Sequence, residues 1–155
     1  MVAQELMQAD APTLSPDDDL PTAAELLTHY DNSVVAVVDD AGRLVGLVTD
    51  ANILGLALPA AAEGVGGLSY LPKCYGLRGL DSDQLREVRV RDIMRTENLV
   101  SVDADELAAQ AALLMIRHGL QQLPVVAGGR VVGRICRKAI INEMVNPTLG
   151  VACNP

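Results

Sequence analysis

The sequence predicts an α/β (α+β) fold: two pseudo-symmetric copies of one strand–helix–hairpin–helix unit, with their small sheets packed together and helices flanking them. Three observations lead there. The chain repeats itself: Met7 stands 39 positions before Gly46 and Met94 stands 39 before Gly133, while Leu20 and Leu107 each follow their methionine by 13. Self-similarity at a fixed spacing marks a repeated supersecondary unit. Within each copy the apolar period changes between helical and strand-like, which sets strands beside helices. Half of the 155 residues are apolar, yet Trp and Phe are absent and only Tyr30, Tyr70 and Tyr75 supply aromatic rings. A chain of this length buries about 68–70% of its unfolded surface, so its core is expected to consist of Val, Leu, Ile, Ala and Met. Such a core suits β-strands packed on short helices.

In the first copy, Ser15-Pro16-Asp17-Asp18 precedes a helix whose face carries Leu20, Ala24 and Leu27. Pro21 fits its first turn, where the missing N–H has no partner to lose. Val34 to Val38 and Arg43 to Val48 read as a hairpin around Asp39-Asp40-Ala41-Gly42, and a helix opens near Thr49. In the second copy, Leu99 to Val102 reads as a short strand, and Asp103 and Glu106 have the spacing of a reciprocal helix cap. Leu107, Ala111, Leu114 and Met115 then share one helix face, and Gly119 stands where that helix should stop. Leu123-Pro124-Val125-Val126, a turn through Ala127-Gly128-Gly129, and Arg130 to Ile135 form the second hairpin, with a last helix beginning near Arg137. The expected plan is repeat one over 1–62, a connector over 63–88, repeat two over 89–145 and a tail over 146–155. The connector is longer than most. Its stretch from Leu68 to Tyr75 is too apolar for a free linker, which points to the protein surface or a subunit contact. The tail has no periodicity and reads as frayed.

A formal net charge of −8 speaks against a nucleic-acid partner, whose phosphates are bound chiefly through Lys and Arg. Cys74, Cys136 and Cys153 form no CxxC pair, and neither His29 nor His118 stands near a cysteine in sequence. No metal framework is visible. The odd cysteine count, with no signal peptide and no long apolar span, points to a reduced, cytoplasmic setting without membrane insertion. Gly64, Gly66 and Gly67 lack the Lys-Ser or Lys-Thr of a phosphate loop, and Asp17-Asp18-Asp19 lacks the ligand spacing of a calcium loop. Cys136 reads as a packing residue, His118 as a favourable contact at a helix end, and Tyr70 and Tyr75 as packing anchors. With no paired catalytic constellation, the chain is expected not to be an enzyme.

The chemistry gathers where each second hairpin strand runs from a glycine into a helix: Gly46-Leu47-Val48-Thr49-Asp50-Ala51-Asn52 and Gly133-Arg134-Ile135-Cys136-Arg137-Lys138-Ala139. A helix N-terminus offers unpaired N–H groups and partial positive charge, which favour an anion. There the Thr49 hydroxyl would meet a phosphate, Asn52 one turn on would reach a ribose, and Gly46 would let a ligand approach the strand. A second reading stands beside this one, in which Thr49 and Asn52 are helix-capping residues alone. Arg134, Arg137 and Lys138 read either as a solvated helix start or as charge for a phosphate or a partner's carboxylate.

The first of these segments is a strand, Gly, two apolar residues, Thr, two variable residues and Asn. With Leu123-Pro124-Val125-Val126 and the matched spacing, the chain resembles a tandem cystathionine-beta-synthase (CBS) domain pair over roughly 100 residues. The resemblance implies a non-catalytic regulatory module that needs no cofactor and associates as a homodimer through apolar helix faces. It implies an adenosine ligand, AMP, ADP, ATP or S-adenosylmethionine, between the repeats, with the adenine against strand residues including Leu14, Val35 and Ala36. Asn52 replaces the commoner Asp of that family and removes a charged acceptor, and charge-assisted hydrogen bonds are about twice as strong as neutral ones. Cys136 and Ala139 occupy the hydroxyl and ribose positions of the second copy, so at most one well-formed site per chain is expected. The alternative is a ligand-free dimerisation or interaction module that regulates a partner enzyme or transporter.

Overall fold

The computed structural model describes residues 1–29, 33–57 and 80–147. Tyr30, Tyr70, Tyr75, Cys74, Cys153 and the Gly64–Gly67 stretch lie outside them. The elements run α1 (Ala3–Leu6), β1 (Gln8–Ala9), β2 (Thr13–Leu14), α2 (Leu20–His29), β3 (Val34–Val38), β4 (Leu44–Thr49), α3 (Asp50–Leu54), α4 (Ser82–Glu87), α5 (Val90–Ile93), β5 (Val102–Asp103), α6 (Ala108–His118), β6 (Gln122–Ala127), β7 (Arg130–Cys136) and α7 (Arg137–Val145). One sheet has the order β2-β3-β4 and the other β1-β7-β6-β5.

Both hairpins and both crossovers follow the expected plan. β3 pairs antiparallel with β4 and β6 with β7, while β2 and β5 lie parallel to β3 and β6. A parallel pair needs a crossover, and α2 and α6 supply them. Gly119 ends α6 in the left-handed conformation, at φ 66°, as its position suggested. Helix faces differ in detail from the reading of the sequence. In α2 the fully buried residues are Leu20 and Ala23, not Ala24, because the sheet meets the helix along the i, i+3, i+7 row. Leu107 precedes α6 and is 61% exposed, and the buried face is Ala108, Ala111 and Met115. Asp103 and Glu106 do bond as expected, Asp103 N–H donating to Glu106 at 3.0 Å, but they close the turn before the helix.

The end of the connector holds an element that the sequence reading missed. Asp81 and Gln84 cap α4 reciprocally, at 2.8 and 2.9 Å, the D-x-x-Q form of a capping box. Leu80 and Leu85 pack partly against the first core.

Each repeat lends its opening segment to the other. The core over β2, β3 and β4 contains Leu14, Val35, Val37 and Val48 together with Val90 and Ile93 of α5. The core over β5, β6 and β7 contains Val102, Met115, Leu123 and Ile135 together with Ala3 of α1. Backbone bonds hold both exchanges: Val90 N–H to Asp18 O at 2.8 Å on one side, Gln4 N–H to Ala104 O at 2.9 Å on the other. β1 pairs with β7, and Leu47 and Arg95 form the matching antiparallel bridge in the first sheet. The inner faces of the two sheets meet at β3 and β6, and the hairpin turns touch where Val131 N–H donates to Gly42 O at 3.0 Å.

Candidate functional site

Strand alternation decides what a ligand can reach. Along β3, Val35 and Val37 point into the first core, so Val34 and Ala36 face the second repeat. Among the described residues, two openings have Val34 in their walls. One is a crevice of about 10 Å³ lined by Thr13, Val34, Ala36, Gln122, Leu123 and Arg134, among others. That is about the room for a single water. The other is a cavity of about 250 Å³ lined by Ser33, Val34, Thr49, Asp50, Ala51 and Asn52 of the first repeat and by Arg95, His118, Gly119, Leu120 and Gln121 of the second. Ligand pockets start at about 300 Å³, so this second opening suits a small ligand, partly protruding.

Thr49 and Asn52 therefore stand together at the cavity, but they also cap each other. Thr49 N–H donates to Asn52 Oδ1 at 2.8 Å and Asn52 N–H donates to Thr49 Oγ1 at 3.3 Å. Ala51 N–H donates to Asp50 Oδ1 at 2.8 Å. The N–H groups of Ala51 and Asn52 in the first turn of α3 thus have side-chain acceptors already, and the helix has only five residues. An anion seated on those amides, as the sequence suggested, would have to displace these caps. What stays available is chemistry of the side chains: a hydroxyl that accepts one bond still carries a proton to donate, and an amide whose oxygen is engaged still carries NH₂ donors. Asn52 is only 2% exposed.

The remaining expected residues divide. Leu14 and Val35, read as lying under an adenine, are 1% exposed and belong to the first core; Ala36 lines the narrow crevice. Gly46 does not open the strand to a ligand. A Cβ there would lie 2.6 Å from Met94 Sδ and 3.2 Å from Arg95 O, so the glycine is required by the exchanged segment of the second repeat. The basic trio of the second copy does not form one cluster. Arg134 is 5% exposed and donates through Nε to Gln8 Oε1 at 2.9 Å. It occupies the position that Leu47 holds in the first copy, between the sheets rather than at a solvated helix start. Arg137 donates to Leu120 O at 2.8 Å and Met115 O at 3.0 Å, so it caps the end of α6. Lys138 is exposed.

Cys136 is buried, 5% exposed, in keeping with its reading as a packing residue, and it is also disulfide-bonded, which distance along the chain does not reveal. Among the described residues no group of His, Cys, Asp or Glu is arranged to hold a metal, and no helix is long and apolar enough to cross a membrane.

Ser33 went unnoticed in the sequence. Its Oγ is buried and has no hydrogen-bond partner among the described residues, and it lines the larger cavity. Arg95 was equally silent, and His118 was read only as a contact at a helix end, since nothing in their local sequence reveals that they line one cavity with Thr49.

Comparison with known proteins agrees with the repeat plan. The CBS domain family matches residues 2–58 and 90–146. The chain is 27% identical over 150 residues to the CBS domain-containing protein YhcV of Bacillus subtilis, covering 96% of this chain and 90% of that protein. Its fold is similar to that of CBSX2 in complex with AMP, with a TM-score of 0.68 and 21% identity over 94% of this chain and 97% of the other. It is also similar to the CBS domain pair of MJ0100 in complex with 5′-methylthioadenosine and S-adenosyl-L-methionine, with a TM-score of 0.64 and 19% identity over 96% and 98%. Two matched segments, each with its own hairpin and core and each completed by the other, make this chain a tandem-repeat member of the CBS domain family.

Proposed function

We propose that the protein is a non-catalytic regulatory module that takes an adenosine-containing ligand, AMP, ADP, ATP or S-adenosylmethionine, in the cavity between Thr49 and His118. The observation that carries this reading is the buried Ser33 hydroxyl at the wall of a 250 Å³ cavity. A buried polar group without a partner costs about 1–3 kcal/mol, and a ligand with donors and acceptors removes that cost. Thr49, Asn52 and Gln121 supply further polar groups, while Val34, Ala51 and Leu120 supply apolar wall. The AMP of CBSX2 and the two adenosine compounds of MJ0100 support the choice of ligand. Since both repeats line the cavity, occupancy would favour one relative arrangement of the repeats to the extent that the ligand binds it better.

Thermal unfolding with AMP, ADP, ATP, S-adenosylmethionine and guanosine compounds tests the reading. Linkage gives about 2.7 kcal/mol of stabilisation at a ligand concentration 100 times its dissociation constant. The expected result is an adenosine-specific rise in Tm that Ala51→Phe, which fills the cavity, removes. No rise with any compound at millimolar concentration leaves the interaction module as the better account.

One observation favours a homodimer in either case. Leu113 and Ile116 on α6 are 46% and 73% exposed, and Ile141, Met144 and Val145 on the neighbouring α7 are 56%, 79% and 69% exposed. Exposed apolar side chains gathered on adjoining helices mark an association surface.

A further inference from the structure

We infer that Cys136 is a thiol–disulfide switch that sets the second-repeat wall of the cavity, acting through Arg137. In its consequence for binding, this rests on the reading that the cavity takes an adenosine compound. Cys136 is disulfide-bonded, and the chain has two further cysteines, Cys74 and Cys153, both outside the matched segments 2–58 and 90–146. The bond therefore ties the second repeat to chain beyond the repeats.

Cys136 stands at a junction. It ends β7 opposite Gln122 of β6, it is the N-cap of α7, and it packs with Ala139 and Leu6. The next residue reaches across to the end of α6. Arg137 N–H donates to Gln121 O at 3.0 Å, and its guanidinium donates to Leu120 O at 2.8 Å and Met115 O at 3.0 Å. These bonds hold residues 118–121, which with Arg95 form the second-repeat wall of the cavity. A constraint on Cys136 thus acts one peptide unit from the group that positions that wall.

The bond has the marks of a switch rather than a staple. Small domains that need disulfides to fold are dense in them, whereas each repeat here has an apolar core of its own. The start of α7, nine residues long, places partial positive charge beside the sulfur, which stabilises the thiolate that reduction releases. Reduction by a dithiol adds two electrons and two protons across the sulfur–sulfur bond, gives two thiols and turns the dithiol into its own disulfide. With the bond closed, the start of α7 is fixed and the wall is preorganised, and a preorganised site binds more tightly.

Hydrogen exchange and isothermal titration with AMP, on oxidised protein and on protein reduced with dithiothreitol, test the switch in wild type, Cys136→Ala and Arg137→Gln. The expected result of reduction is faster amide exchange over residues 118–121, unchanged exchange in β3 and β6, and AMP binding weakened about fivefold or more, as for other couplings between sites. By linkage, AMP should make the bond harder to reduce by the same factor. Cys136→Ala should match the reduced protein under both conditions, and Arg137→Gln should no longer respond to reduction. Identical exchange and affinity in the two redox states overturn the inference and leave a structural disulfide. A Cys136 that mass spectrometry finds unbonded in the oxidised protein overturns it as well. Exchange that responds at residues 118–121 while AMP binds neither state supports the switch and removes the adenosine reading alone.

Discussion

At Gly133 an added Cβ would lie 2.5 Å from Gln8 O and 3.0 Å from Met7 Sδ, while at Gly46 the nearest atom is Met94 Sδ, at 2.6 Å. The two glycines do the same work in the two sheets, admitting the first residues of the opposite repeat, but the obstacles differ. A thioether at the end of a flexible side chain can move, whereas a backbone carbonyl paired in a sheet cannot. Gly133→Ala is therefore expected to destabilise more than Gly46→Ala, with overpacking costs of about 1–3 kcal/mol. Urea unfolding measures both, and Met94→Ala should partly rescue Gly46→Ala as a non-additive pair. Equal costs without rescue would mean that the contact with Met94 is not what the glycine serves. Thr49 and Asn52 carry a similar lesson. Their reciprocal cap means that alanine at either position lowers stability before any ligand is added, so affinity changes in those variants must be read against their own folding.

The start of α2 rests on a carboxylate. Asp19 accepts from both the N–H, at 2.9 Å, and the hydroxyl of Thr22. The Thr22 side-chain bond first, then its backbone bond, with a smaller pull from the Arg89 guanidinium, hold the Asp19 carboxyl below its ordinary value of 3.8. Because the folded value is the lower one, the stability Asp19 lends to α2 is fully present above the unfolded value and is lost as pH falls through the folded one. Chemical denaturation of wild type and Asp19→Asn at pH 6 and pH 3 should show a difference that narrows at the lower pH. A constant difference would place the acid sensitivity elsewhere. Arg91 pairs with Asp17 beside this cap, but both side chains are exposed and such pairs contribute little.

Across the whole molecule, the exchange of α1 and α5 makes each core depend on both halves of the chain, and the cavity inherits that dependence. The exposed apolar residues of α6 and α7 lie on the repeat that supplies His118 and Gln121. Size-exclusion chromatography with light scattering should give a dimer for wild type and a monomer for Ile141→Glu with Met144→Glu, since two buried carboxylates in an apolar contact are strongly unfavourable. A variant that stays dimeric would move the interface to another face.

The sequence by itself determined the repeat, both hairpins, the stop at Gly119 and the segment that carries Thr49 and Asn52, because each follows from local spacing and backbone preference. Only the tertiary structure decided which side of β3 a ligand meets, that Leu14 and Val35 belong to the core, that Arg134 and Arg137 serve packing and a helix end, and that Ser33, Arg95 and His118 share a cavity with Thr49. Those facts depend on how one repeat is set against the other, and contacts between residues far apart in the chain leave no periodic trace along it.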